Sequence, residues 1–220
     1  MTTKPTVFIV DDDPGMRKSL HCLLESVDLQ VETFSAAQDY LDAYDPSRPG
    51  CLVLDVRMPG MSGLDLQEKL RTQQIAIPFI VISGFADVPT AVRAMKNGAV
   101  DFIEKPFSDQ TLLDRIQEAI ELDAHIRLDQ AQHEEIADRL SHLTAREREV
   151  MDLVVAGNST KDIAGKLGLS SKTVEVHRAH VMNKIQAKSV AELVRLVTLQ
   201  EPLDDGSYEE ARPDEDDSGG

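Results

Sequence analysis

Charged and hydroxyl side chains follow four apolar runs in the N-terminal half of the chain. Residues 11–13 are three consecutive aspartates after the first run, and Asp55 follows a later run. Ser83 follows a third apolar run, and Lys105 comes shortly after a fourth. Ligands of an open α/β sheet bind at the carboxyl ends of its parallel strands. If the apolar runs are such strands, the aspartates, the hydroxyl and the lysine converge at one edge of the sheet.

Clustered carboxylates repel one another, so at neutral pH such a group must take up protons or bind a cation. An all-oxygen ligand set favours Mg²⁺ over zinc or copper. Lys105 and Ser83 would hold the oxygens of an arriving phosphoryl group, and Asp55 is the best nucleophile. The alternative is that each aspartate only caps a helix or lies solvated in a loop, which explains one residue better than the whole set.

The elements that must position these residues alternate along residues 1–122. Apolar and β-branched runs predict buried strands at Thr6–Val10, Val31–Phe34, Cys51–Leu54, Phe79–Ile82 and Val100–Ile103. Amphipathic spacing predicts helices at Met16–Ser26, Gly63–Gln73 and Pro89–Asn97. This alternation of strands and helices predicts an α/β doubly wound parallel five-stranded sheet.

Four segments of this region resemble the receiver domain of two-component response regulators. They are residues 10–14 (VDDDP), 54–63 (LDVRMPGMSG), 82–84 (ISG) and 102–107 (FIEKPF). The resemblance implies a flavodoxin-like fold over residues 1–122. It also implies that Asp55 accepts a phosphoryl group from a sensor histidine kinase.

The same resemblance assigns roles to the residues around the acceptor. It implies that Mg²⁺ is held by oxygen atoms of Asp11 (through water), Asp12, Asp55 and the backbone carbonyl of Arg57. It implies that the phosphoryl group is sensed and bound by a switch hydroxyl at Ser83, a switch aromatic at Phe102 and a lysine at Lys105. The peptide bond between Lys105 and Pro106 is expected to be cis.

The remaining pattern is helical. Residues 123–142 predict a helical linker, and residues 143–200 predict a small all-α domain with four helices at Ala145–Val155, Thr160–Leu167, Lys172–Ile185 and Val190–Leu199. The second and third of these helices have the spacing of a helix-turn-helix. Their apolar faces would pack together, with Ile163, Ala164 and Leu167 against Val174, Val181 and Ile185. The alternative is a plain four-helix domain with a solvated basic face.

Residues 143–150 (LTAREREV) and 171–178 (SKTVEVHR) are similar to the LuxR-type DNA-binding domain. In the LuxR-type family the fourth helix, here Val190–Leu199, usually mediates dimerisation. With residues 87–92 (DVPTAV) of the receiver, these segments resemble the FixJ group of response regulators. Outward positions on the third helix and its start predict DNA contacts from Ser170, Ser171, Lys172, Thr173, Glu175, Val176, Arg178, Ala179 and Lys184. His177 and His180 either face the DNA or pack within the domain.

The formal net charge of −16 taken alone excludes nucleic acid as a partner. The charge is unevenly spread, however, because residues 143–200 carry +3 while residues 1–122 and 201–220 carry −8 each. The tail at 201–220 consists mostly of Asp, Glu, Gly, Ser and Pro and predicts disorder. We therefore expect DNA binding to be weak for one copy of the chain and to depend on dimerisation.

The compartment is predicted from what the sequence lacks. Cys22 and Cys51 have no metal-binding or disulfide-framework spacing, which indicates reduced thiols. No signal peptide and no apolar run of 18 residues is visible. These patterns predict a cytoplasmic protein without a membrane partner.

The combined hypothesis is a phosphorylation-activated transcription factor and not a turnover enzyme. Phosphoryl-Asp55 would draw Ser83 inward and Phe102 would follow, so that two receivers associate through Val92, Lys96 and Asp101. The homodimer would bind promoter DNA and act with RNA polymerase, with activation as the expected sign. Two rivals are a phosphotransferase or phosphoesterase for small molecules, and a DNA-binding protein controlled by partner contact with a vestigial phosphorylation site.

Overall fold

The structure is a computed structural model that describes residues 4–84 and 87–199. The chain divides between Asp129 and Gln130 into two compact units. The tail predicted at residues 201–220 lies outside the described residues. In the described ranges, no helix is both long enough and apolar enough to cross a membrane.

A parallel sheet forms the centre of the first unit. Its strands are β1 (Thr6–Val10), β2 (Gln30–Phe34), β3 (Gly50–Asp55), β4 (Phe79–Ser83) and β5 (Asp101–Glu104). Their order is β2-β1-β3-β4-β5 and every pair is parallel, which confirms the predicted doubly wound topology. In the pairing of β1 with β3, Val10 lies opposite Leu54. Asp11 and Asp55 therefore come next on adjacent strands at the same edge.

Amphipathic helices cover both faces of this sheet with their apolar sides. They are α1 (Pro14–Ser26), α2 (Ala37–Ala43), α3 (Gly63–Thr72), α4 (Val88–Lys96) and α5 (Asp109–Ser141). Successive residues of β1 enter different cores: Val7 and Ile9 pack in one cluster with Leu112 of α5, and Phe8 and Val10 pack in the other with Leu66 of α3. Burial on both faces explains why the strands are continuous apolar runs.

The structure extends the sequence predictions in two places. The short α2 is not predicted by its sequence, because its seven residues are too few for a clear helical period and its N-cap residue, Ala36, provides no side-chain hydrogen bond. The predicted linker at 123–142 is helical through Ser141 and forms the C-terminal part of α5.

Four helices follow in the part of the second unit that the structure describes: α6 (Ala145–Val155), α7 (Thr160–Leu167), α8 (Ser171–Ile185) and α9 (Val190–Thr198). Gly168 ends α7 with a φ of 65°, a left-handed conformation that glycine adopts without steric cost. The predicted contact between α7 and α8 is confirmed, because one buried cluster contains Ile163, Ala164, Val174, Val181 and Ile185, with Leu167 packed against it.

The first turn of α3 touches the backbone of the predicted acceptor. A Cβ atom added to Gly63 would lie 2.2 Å from the carbonyl oxygen of Asp55, closer than any real contact. Only glycine lets α3 start here without displacing the end of β3.

We expect Gly63→Ala to lower the free energy of unfolding of the first unit by about 1–3 kcal/mol, because backbone must move to admit the methyl group. Gly165→Ala, in the exposed part of α7 with no atom within 4 Å of an added Cβ, should instead raise the stability of the second unit by about 0.5–1 kcal/mol. Urea unfolding of both variants checks the two signs. A neutral Gly63→Ala would show that β3 and α3 are not in tight contact.

Candidate functional site

Lys105 joins the two buried carboxylates at the edge of the sheet. Its Nζ donates to Asp11 Oδ2 at 2.9 Å and to Asp55 Oδ1 at 2.7 Å. Asp11 is 1% exposed and Asp55 is 6% exposed, and the lysine reaches them from the loop that follows β5. The structure thus brings together three of the residues predicted to carry the chemistry, from three different strands.

Burial and ion pairing act in opposite directions on this group. Burial raises the pKa of Asp55, and the hydrogen bond and charge of Lys105 lower it, with a net upward direction. Burial lowers the pKa of Lys105, but its bonds to Asp55 and Asp11 more than offset that, so the net direction is also upward. The site therefore holds a firmly protonated lysine against a carboxylate that is costly to keep ionised.

The second oxygen of Asp55 is held by the chain that follows it. The backbone N–H of Arg57 donates to Asp55 Oδ2 at 2.7 Å, and the Gly63 N–H donates to the Val56 carbonyl at 3.0 Å. The acceptor carboxylate is consequently fixed at one oxygen by Lys105 and at the other by its own loop. Each oxygen keeps lone-pair capacity beyond the bond that it accepts.

The predicted metal ligands are only partly assembled. Asp12 is exposed and follows Asp11 directly. Within residues 4–84 and 87–199, no three His, Cys, Asp or Glu side chains are grouped so as to hold a metal ion. The chemistry of the donor set nevertheless fits Mg²⁺, because two buried carboxylates and the acidic neighbour Asp12 carry more negative charge than one lysine balances.

Two further predicted site residues, Ser83 and Phe102, lie on β4 and β5. Ser83 is the last residue of β4, is 1% exposed, and its carbonyl accepts the Lys105 N–H at 2.8 Å. Phe102 on β5 is half-buried and packs against the core that contains Ala94 of α4. The peptide bond between Lys105 and Pro106 is cis, as predicted.

The predicted DNA-contacting surface lies at the start and on the outer side of α8. Ser170 caps the helix by accepting the Thr173 N–H at 3.1 Å, and Thr173 itself is half-buried. Five of the predicted contact residues on α8 are exposed: Ser171, Lys172, Glu175, Val176 and Ala179. The buried face of the same helix carries the apolar side chains of the core, so the division into two faces follows the predicted one.

Two of the basic residues predicted to contact DNA are engaged within the unit. Lys184 Nζ donates to Glu147 Oε2 at 2.6 Å and to the His142 carbonyl at 3.2 Å. Because its ammonium pairs with a buried carboxylate, Lys184 has less charge to offer DNA than its position on α8 suggests. Arg178 is half-buried and lies 3.4 Å from Thr160 Oγ1, so it packs α8 against α7 and contributes less charge to the outer face than predicted.

Glu147 is the structural residue that the sequence reasoning missed. It is 4% exposed and also accepts from the backbone N–H of Thr144 at 2.9 Å. His180 Nδ1 lies 3.5 Å from Glu147 Oε1 while its side chain is 58% exposed, and the Nδ1 atom of His177 is buried. The Thr-x-x-Glu spacing of a capping box signals the Thr144 contact, whereas nothing in the spacing signals Lys184, 37 residues further on.

The residues predicted for a receiver dimer lie on α4 and β5. Val92 is 46% exposed, Lys96 is exposed, and the neighbouring Met95 is 46% exposed. Asp101 is paired with Arg115 Nε at 3.1 Å. A reciprocal contact between Lys96 and Asp101 of two copies would therefore have to compete with an ion pair inside each copy.

Two parts of the chain match known protein families. The model of the response regulator receiver domain matches residues 7–117, and that of the bacterial regulatory proteins of the luxR family matches residues 141–197. The transcriptional regulatory protein FixJ of Bradyrhizobium diazoefficiens is 45% identical over 205 residues, which are 93% of this chain and 100% of that protein. The chain is a response regulator of the FixJ group.

Solved structures are similar over the same length. The low-resolution structure of the response regulator StyR is 45% identical, with a TM-score of 0.80 and coverage of 89% of this chain and 99% of that one. Full-length FixJ from B. japonicum is also 45% identical, with a TM-score of 0.56 and coverage of 90% and 98%.

A FixJ-group regulator combines two functions in one chain. Its receiver domain implies a histidine kinase as partner, and its luxR-family domain implies DNA binding. The combination is that of a regulator that controls transcription in response to phosphorylation. Regulators with such a DNA-binding domain are typically transcription factors without enzymatic turnover, and receiver domains generally use Mg²⁺.

The Glu147 contact of this FixJ-group regulator predicts a pH-dependent stability. The hydrogen bond from Lys184 and those from Thr144 lower the pKa of Glu147 from 4.5 to about 2. Its ionised form is thus stabilised by folding, and that contribution is present above the unfolded pKa and lost as the pH falls towards the folded one. We expect Glu147→Gln to lower the free energy of unfolding of the second unit by about 2 kcal/mol at pH 7.

The difference between wild type and Glu147→Gln should shrink as the pH falls from 4.5 to about 2, as measured by urea unfolding followed by circular dichroism. The matched control is Glu149→Gln, which removes an exposed carboxylate paired with Arg146 and should change stability by less than about 0.5 kcal/mol. Equal losses in the two variants would contradict the account of Glu147.

Proposed function

We propose that Asp55 is the residue that a sensor histidine kinase phosphorylates, and that this event controls promoter binding by the second unit in the cytoplasm. The observation that carries the proposal is the bonding of Lys105 to both Asp11 and Asp55. The Lys105 ammonium beside the fixed carboxylate can form an ion pair with the oxygens of an incoming phosphoryl group when the negative charge shifts onto that group. Nothing in a purely structural role requires both carboxylates to be buried at the open edge of the sheet.

The transfer is a nucleophilic displacement at phosphorus. One carboxylate oxygen of Asp55 attacks the phosphoryl group of a phosphohistidine, the phosphorus–nitrogen bond breaks, and the histidine leaves with the electron pair. The product is an acyl phosphate on Asp55. The Arg57 N–H holds the carboxylate in place during the attack, and Lys105 moves its charge from the carboxylate to the phosphoryl oxygens.

Asp11, Asp12, Asp55 and the backbone carbonyl of Arg57 would hold Mg²⁺. When bound, the ion would neutralise the negative charge that the phosphoryl group adds to an already acidic site. Asp11 also orders this part of the chain, because its Oδ1 accepts the Asp13 N–H at 2.8 Å.

The output step links the receiver to the second unit through dimerisation. The Ser83 hydroxyl would bond to the phosphoryl group, Phe102 would follow into the space beside α4, and the exposed surface around Val92 and Lys96 would change. Two second units then bind DNA together, with a gain from effective concentration. Lys172, Ser170 and Ser171 would contact phosphates, and Glu175 and Val176 would read bases.

Asp55→Asn should abolish phosphorylation and, with it, phosphorylation-dependent dimers and promoter binding, because the amide cannot form an acyl phosphate. Analytical ultracentrifugation and a promoter-binding assay, each with and without a phosphodonor and Mg²⁺, measure both effects. Asp28→Asn is the control, since it removes the same charge from a side chain that is 93% exposed. Full phosphodonor-dependent binding by Asp55→Asn would refute the proposal.

Lys172→Ala should weaken binding to all DNA sequences by a similar factor and reduce the dependence of log K on log salt by about one unit, as expected for one lost phosphate contact. Lys69→Ala, an exposed lysine of α3, serves as the charge-matched control. Titrations of specific and random DNA at several salt concentrations give both numbers. A loss confined to the specific sequence would place Lys172 on a base and not on a phosphate.

A further inference from the structure

Arg17 of α1 is bonded to the loop that carries the acidic residues. Its Nη1 donates to the backbone carbonyl of Asp11 at 2.7 Å, and its backbone N–H donates to the Asp13 carbonyl at 3.0 Å. The Asp13 N–H in turn donates to Asp11 Oδ1 at 2.8 Å. These bonds join residues 11, 13 and 17 in a closed ring, and the exposed Asp12 lies between residues 11 and 13 in the chain.

Helix stability does not explain a guanidinium at this place. A cation near the N-terminus of a helix faces the positive end of the helix dipole, which is unfavourable. The acidic N-cap residue Asp13 offsets this in part, but the first turn of α1 itself holds no acidic residue. The helix start is already provided for by Asp13, whose Oδ1 accepts the Gly15 N–H at 2.7 Å, and by Pro14. The bond to the Asp11 carbonyl is the contact that distinguishes Arg17 from other residues of the turn.

We propose that Arg17 is a positioning residue of the phosphoacceptor site, which holds residues 11–13 in the conformation that presents Asp11 and Asp12 to Mg²⁺. The inference rests on the proposed function, since it concerns the metal used in phosphorylation. Arg17 acts through the backbone of Asp11 and touches neither the metal nor the phosphoryl group. Residues that orient metal ligands in this way commonly change metal affinity when they are replaced.

The proposal and simple electrostatics predict opposite signs. Removing a positive charge beside an acidic site should tighten the binding of a cation if long-range attraction is all that matters. Removing the bond that shapes the loop should weaken it, because Asp12 then has to be ordered when the ion binds. The sign of the change in Mg²⁺ affinity therefore separates a positioning role from a mere charge.

The test is calorimetric titration of the full chain with Mg²⁺ and no phosphodonor. We expect Arg17→Met to bind Mg²⁺ about tenfold more weakly than wild type, and Lys18→Met, which removes the adjacent exposed charge, to bind as tightly as wild type or slightly more tightly. Arg17→Lys keeps the charge without the guanidinium and should fall between wild type and Arg17→Met. At saturating Mg²⁺, Arg17→Met should reach the wild-type extent of phosphorylation.

Arg17→Met with affinity equal to or tighter than wild type, or Arg17→Lys with unchanged affinity, would overturn the inference. If Arg17→Met does not fold, as judged by thermal unfolding, Arg17→Lys decides alone. The proposed function fails separately, and visibly, if wild type itself neither binds Mg²⁺ nor becomes phosphorylated.

Discussion

The first unit depends on one electrostatic arrangement, the ammonium of Lys105 between the carboxylates of Asp11 and Asp55. Two buried acids at the end of neighbouring strands would repel each other, and the lysine makes their burial tolerable. It reaches them because β1 and β3 are adjacent and β5 lies on the same side of them, with only β4 between β3 and β5. These three side chains are positioned by the doubly wound sheet, by the end of β4 at Ser83 and by the close contact of α3 with β3 at Gly63. A phosphoryl group on Asp55 would draw Lys105 away from the Asp55 carboxylate. The site would then have two states, one with Lys105 paired to the carboxylates and one with Lys105 paired to the phosphoryl group.

The second unit also contains a buried carboxylate paired with a lysine, and here the pair stabilises the fold. Glu147 is buried and held by Lys184 and Thr144, and this bond ties α8 to the start of α6. The side chain of Lys184 remains 36% exposed but is thereby engaged in an ion pair within the unit. The net charge of +3 over residues 143–200 already includes both members of this pair, and so small a positive charge is the reason to expect that a single copy binds weakly and that dimerisation supplies the affinity.

Local sequence patterns predicted those features of the molecule that depend on neighbouring residues. Continuous apolar runs placed the strands, and the residues at their ends placed Asp55, Ser83 and Lys105 at one edge, because strand order in such sheets follows general rules. The α7–α8 core followed from helical spacing. The contacts that were missed join residues distant in sequence, such as Glu147 with Lys184, or run from a side chain to a backbone carbonyl, as for Arg17 and Asp11. Neither kind leaves a periodic signal, so the pairing of Lys184 with Glu147 was not predicted.

The central claim is that Asp55 carries the phosphoryl group and needs Mg²⁺ to receive it. Incubation of the chain with a small phosphodonor, followed by peptide mass spectrometry with and without hydroxylamine, tests it most directly, since hydroxylamine cleaves an acyl phosphate. The account predicts one hydroxylamine-labile phosphoryl group on the peptide that contains Asp55, lost when a chelator removes Mg²⁺. A stable phosphoryl group on another residue, or labelling of Asp55 that is unaffected by the chelator, would contradict it.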